Sequence, residues 1–142
     1  MRENPFIIIC LTTVLYGCLP PQLPLSKEEK ALEKQLSKKF GCEVVFKHDY
    51  PTIKEGGSDG TFGIFMCDNL CNSEYSELLK ICGDISKQLT PILSHKNSYK
   101  SISIGFSKAI KIDERMERED CVKIFKFLVS NPDSLLLFKK IY

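Results

Sequence analysis

Cysteine is the residue type with the most chemistry to offer in this chain. There are seven, and apart from Cys10 and Cys18 near the N-terminus they are Cys42, Cys67, Cys71, Cys82 and Cys121. Five is an odd number, so at most two bridges form among them and one thiol is left. Cys67 and Cys71 are the nearest pair, close enough in sequence to be the expected bridge. Cys82 falls on an apolar helical stripe and reads as a small core hydrophobe. The Cys67-x-x-x-Cys71 spacing would also suit half a zinc site. No second pair follows, and the only histidines, His48 and His95, stand in no ligand spacing, so no metal is expected. Nucleophilic catalysis needs a cysteine or serine beside a base that an acid orients. His48-Asp49 supplies two such types, but neighbours on a strand point to opposite faces. Both read as exposed polar residues near a strand end. No catalytic constellation and no cofactor are expected.

Other segments with a chemical look have plainer readings. Glu55-Gly56-Gly57-Ser58-Asp59-Gly60 lacks the Lys-Ser/Thr ending of a phosphate loop and the alternating acids of a calcium loop, so it reads as a connector. Asp113 to Asp120 mixes both signs of charge and reads as a solvated turn. The formal net charge of +2 gives no basic patch of the kind nucleic acid requires, so no nucleic-acid partner is expected.

The elements that must position these residues begin with an N-terminal address. Phe6 to Leu15 is an apolar run of about ten residues, the length of a signal-peptide core and half of what a membrane-spanning helix needs. It stops at Gly17-Cys18 and is followed by Leu19-Pro20-Pro21, which cannot continue a helix. Leu15-Tyr16-Gly17-Cys18 resembles the lipobox of bacterial lipoprotein precursors: an aliphatic residue, a tolerant position, a small residue and the cysteine. Tyr16 is larger than is usual there. The resemblance covers residues 1–18 alone and implies a diacylglyceryl thioether on Cys18 with cleavage before it. Leu15 at −3 is too large for ordinary secretory cleavage, which agrees with the lipoprotein route. The expected organisation is a signal peptide over 1–17, a lipidated cysteine and Pro-rich tether over 18–25, and one domain over 26–142. The expected location is the bacterial cell envelope, lipid-anchored at the outer membrane or on the periplasmic face of a membrane.

Within the domain, Ser26-Lys27-Glu28-Glu29 is a capping box that opens a helix over 27–40, ended by Gly41. Residues 42–49 and 61–67 read as strands. Tyr75, Leu78, Cys82, Ile85, Leu89 and Ile92 recur at three- and four-residue spacing, predicting a second long helix capped by Asn72 or Ser73 and ended near Pro91. Ile102, Ile104, Phe106, Ile110 and Ile112 alternate with small or polar residues, which predicts a strand with one covered face. Residues 121–129 read as a fourth strand, and Asn131-Pro132 opens a short final helix through about Lys140. The predicted fold is α+β, a two-layer sandwich in the order α-β-β-α-β-β(-α). Its four-stranded, mainly antiparallel sheet is covered on one face by two helices.

Ser101, Ser103, Gly105 and Ser107 line the other face of that third strand, and form the candidate contact surface. The expected function is a non-catalytic, membrane-tethered protein-binding module, with the membrane (through the anchor) and an envelope protein as partners. The alternatives are an immunity or inhibitor lipoprotein acting on a toxin or hydrolase, and a small hydrolase using Cys67, Cys71 or His48.

Overall fold

The computed structural model describes residues 21–141. The expected signal peptide and Cys18 lie outside the described residues. Helix α1 (Lys27–Phe40) forms where its end signals predict. Ser26 Oγ accepts from Glu29 N at 3.1 Å, and Ser26 N donates back to Glu29 Oε2 at 2.8 Å. Gly41 closes the helix at φ +66°, a left-handed conformation that a side chain would strain. Residues 21–25 form no regular structure, and Leu25 already packs on the core.

Strand β1 (Val45–Lys47) is followed by a short helix α2 (Tyr50–Lys54), strand β2 (Gly60–Met66) and a 3-10 turn (Asp68–Leu70). Helix α3 (Tyr75–Leu89) leads through a second 3-10 turn (Lys96–Ser98) to β3 (Tyr99–Lys111), β4 (Glu117–Leu128) and β5 (Leu135–Ile141). Helix α3 starts later than expected: Glu74 is its N-cap and makes no side-chain cap bond, so neither Asn72 nor Ser73 caps it.

The architecture is α+β, with one mixed sheet in the order β1-β2-β3-β4-β5. It departs from the expected four antiparallel strands twice. First, β2 and β3 pair in parallel. Parallel neighbours need a crossover, and α3 supplies it. Second, residues 135–141 form a strand, not a final helix. Asn131-Pro132 makes a turn, with Ser134 N donating to Asn131 O at 2.9 Å. The outer edge of β4 then offers a ladder that Leu135 to Ile141 complete. Three consecutive leucines carry no helical period, and Phe138 is held against Tyr75 and Phe125, each at 4.8 Å between centroids.

The helices cover one sheet face. Leu32 and Leu36 of α1 and Leu78, Cys82, Ile85 and Leu89 of α3 are buried with Phe46, Phe62, Ile64, Ile102, Ile104, Phe106, Phe125 and Phe127. The alternation of β3 holds through Phe106, where pairing with β2 ends. A register shift follows at Lys108/Ala109. Ile110 is only half-buried and Ile112 is 56% exposed, so the last two of the five expected core positions leave the core. Beyond Phe106, β3 and β4 continue as a two-stranded ribbon whose tip is Ile112 to Met116.

Candidate functional site

The cysteines pair differently from expectation. Cys42 is bonded to Cys67 and Cys71 to Cys121, so no Cys67–Cys71 bridge forms. The 3-10 turn between Cys67 and Cys71 carries them to different neighbours: the end of α1 for one and Cys121 within β4 for the other. Cα separations of 5.8 and 6.1 Å are ordinary for such bridges. Cys82 is free and fully buried, and burial pushes its thiol far above its usual range.

His48 is buried, not exposed, because Val44, Phe46 and His48 share the helix-facing side of the β1 segment. Its Nδ1 lies 2.5 Å from Tyr99 Oη, and its Nε2 lies 3.2 Å from Glu29 Oε2. Asp49 N donates to Tyr99 Oη at 3.2 Å. The consistent proton order is Tyr99 O–H to Nδ1 and Nε2–H to the carboxylate. Burial pushes the Tyr99 hydroxyl up to about 12, which keeps that proton in place. Glu29 Oε1 also accepts from Ser94 N and Ser94 Oγ, both at 2.7 Å. Burial alone would raise the Glu29 carboxyl. The bonds from Ser26 and Ser94 and the nearby His48 outweigh it and hold the group below its usual value.

A serine, a histidine and a carboxylate thus meet, but not as a nucleophile relay. In such a relay the acid and the hydroxyl take opposite ring nitrogens. Here Ser94 Oγ, at 3.4 Å, and Glu29 face the same Nε2, and Tyr99 holds Nδ1. The arrangement instead ties the start of α1 to the ends of β1 and the loop before β3. Asp49 points elsewhere. It caps α2, accepting from Thr52 N at 3.3 Å, Thr52 Oγ1 at 2.9 Å and Thr61 N at 3.2 Å, bonds that hold its carboxyl low against the opposing effect of burial. Sequence reasoning missed Ser94 and Tyr99, and read Glu29 as a cap alone. A glutamate that caps a helix from its inward-facing side was the available signal.

Among the described residues, no group of acidic, histidine or cysteine side chains is placed to hold a metal, and no helix is long and apolar enough to cross a membrane.

The surface opposite the helices is built by alternation on all five strands. Register places Val45, Phe65, Gly105, Ile124 and Lys139 in one row across the sheet. Lys47, Gly63, Ser103, Lys126 and Leu137 form the next. Of the expected contact residues, Ser103 and Gly105 form its half-exposed floor, Ser107 is exposed, and Ser101 is 4% exposed, its hydroxyl 3.0 Å from Thr61 Oγ1. Phe65 at 55%, Leu137 at 46% and Val45 at 41% exposure stand around that floor. Large apolar side chains gathered on one open face mark interaction surfaces more than scattered ones do.

Comparison with protein-family models, with curated proteins and with solved structures finds no match to this chain.

Proposed function

We propose that the protein is a non-catalytic, membrane-tethered protein-binding module of the bacterial envelope, anchored through lipid on Cys18 and binding through its open sheet face. The observation that carries the reading is the open face: Phe65, Val45 and Leu137 exposed around a floor of Ser103 and Gly105. The disulfides Cys42–Cys67 and Cys71–Cys121 support an oxidising compartment, where such bonds persist. The hydrolase alternative finds no support in this arrangement. Cys67 and Cys71 are bonded, and both nitrogens of His48 are engaged.

Two measurements test the proposal. Palmitate labelling in the native host is expected for the natural chain and absent in Cys18→Ala; equal labelling of both would remove the anchor. A photocrosslinking residue at Ser103 or Ser107 is expected to give a discrete protein adduct, and the same residue at exposed Gln88 on α3 none. Adducts equally from both sides, or from neither, would refute the binding face.

A further inference from the structure

The overall charge of +2 conceals an uneven placement of lysines, and the outer side of α1 carries four of them. Lys27, Lys30, Lys34 and Lys38 follow one another at three- and four-residue spacing, so they share one side of the helix, and all four are exposed. The acids of the same helix are turned inward or aside. Glu29 is fully buried in the network around His48. Glu33 is half-buried and accepts from Phe46 N at 2.7 Å. Only Glu28 reaches solvent, off the lysine line. Ala31, exposed between Lys27 and Lys34, completes a stripe with no carboxylate in it.

This arrangement costs the helix stability. Lys30 and Lys34, and Lys34 and Lys38, are like charges one turn apart, which repel. Lys27 sits in the first turn, at the positive end of the helix dipole. Among the described residues none of the four has an ion-pair partner. The neighbouring helix shows no such bias: the exposed side of α3 carries Glu77, Lys80, Asp84 and Lys87, whose charges cancel. Lys38 in the last turn suits the helix dipole, but folding does not account for Lys27, Lys30 and Lys34, whereas an anionic surface laid against them does.

We infer that the outer side of α1 lies on an anionic phospholipid surface and so sets the orientation of the domain. The inference rests on the proposed anchor. Cys18 is three residues from Pro21, a contour of at most about 10 Å, so a bilayer holding Cys18 comes within about that distance of the body. That is close to the Debye length of about 8 Å at physiological salt, the range over which lysines sense anionic headgroups. Helices and open sheet face are on opposite sides of the domain. With α1 on the bilayer, Val45, Phe65 and Leu137 therefore point away from it, where a protein can reach them.

The test is orientation of the lipidated chain in nanodiscs of phosphatidylcholine with 30% phosphatidylglycerol and a spin-labelled headgroup. Line broadening is read at the Ala31 methyl and at the Val45 and Leu137 methyls. Ala31 is expected to broaden strongly and the other two little. Replacing Lys30, Lys34 and Lys38 together by Gln should abolish the difference, since each lysine near such a surface strengthens association about fivefold. The triple variant should melt close to the natural chain, because the repulsion it removes offsets the favourable charge of Lys38 at the end of the helix. Broadening at Val45 and Leu137 first, or a difference unaffected by the substitutions, would overturn the inference. A difference equally large in pure phosphatidylcholine would also overturn it and leave the stripe to an acidic protein. A chain that fails palmitate labelling removes the anchor alone. Its cosedimentation with phosphatidylglycerol vesicles, abolished in the triple variant, would then uphold the stripe as a lipid-binding surface, and failure to cosediment would sink it.

Discussion

Glu29→Gln removes one charge and changes almost no volume, which makes it the sharpest probe of the buried network. Four donors converge on this carboxylate: Ser26 N and His48 Nε2 at one oxygen, Ser94 N and Ser94 Oγ at the other. An amide offers one oxygen and two donors. If its nitrogen takes the first position, it faces Ser26 N–H and His48 N–H. If it takes the second, it faces Ser94 N–H. Either way one backbone donor loses its acceptor, which costs about 1–3 kcal/mol where it is shielded from water. The remaining bonds lose the assistance of a full charge, roughly another 1 kcal/mol. The sum is about 2–4 kcal/mol at pH 7, or roughly 8–16 °C in Tm for a domain of this size. Urea unfolding with the disulfides intact measures it, provided the slope with denaturant is unchanged. The pH dependence gives the second check. The Glu29 carboxyl titrates below its ordinary 4.5 in the folded chain, so its contribution is complete above that pH and is lost as pH falls through the folded value. The gap between natural chain and variant should therefore be widest at neutral pH and narrow below about pH 4. A loss under about 1 kcal/mol, or a gap as large at pH 3 as at pH 7, would refute the argument.

Four further outcomes are expected. Replacing both Cys71 and Cys121 by Ser opens a loop closed over 50 residues and should cost about 4 kcal/mol, against about 3.5 for the 25-residue loop of Cys42 and Cys67, read from urea midpoints. Titration without reductant of the five cysteines from Cys42 to Cys121 should find none reactive when folded and one, Cys82, in urea. Ser86 Oγ is fully buried with no hydrogen-bond partner, so Ser86→Ala should leave stability unchanged or raise it by about 1 kcal/mol, and a clear loss in thermal melting would show that the hydroxyl has a role. Phe65→Ser removes an exposed ring that overhangs Gly63, so it should move the folding midpoint by less than about 1 kcal/mol while abolishing the Ser103 crosslink, and loss of both would make Phe65 structural.

Local signals were legible where one element decides its own ends. The capping box and Gly41 gave α1 its limits, and the stripe through Leu78, Cys82, Ile85 and Leu89 gave α3 its buried side. The alternation of β3 read correctly through Phe106 and failed after it, because coverage depends on how far β2 runs alongside, not on β3 itself. Residues 135–141 were misread for the same reason. Asn131-Pro132 serves a turn as well as a helix cap, and only the free edge of β4 decides between them. The disulfide partners were illegible because nearness in sequence placed Cys67 beside Cys71, while the parallel crossing sends their neighbours apart. The network around Glu29 joins residues 65 positions apart, and no spacing rule connects Glu29 to Ser94.

The distribution of these devices bears on what the molecule is built to do. Both disulfides and the Glu29–His48–Tyr99 network fasten the helical layer to the sheet: Cys42–Cys67 at the end of α1, the network at its start, Cys71–Cys121 ahead of α3. None of them uses a side chain of the open face. The body is therefore made rigid from one side, and the other side carries Ser103, Gly105, a few exposed apolar groups and the lysines Lys47, Lys126 and Lys139. A sheet held this way presents its free face without local ordering on contact, which lowers the entropy cost of binding. It also separates the two demands on the sequence. Substitutions at the buried positions beneath the helices are expected to act on stability, and, under the proposed binding function, substitutions on the open face on recognition. The strongest polar cluster is fully bonded and sits beneath α1, where Ser26, His48 and Ser94 converge on Glu29 and hold the start of the helix in place.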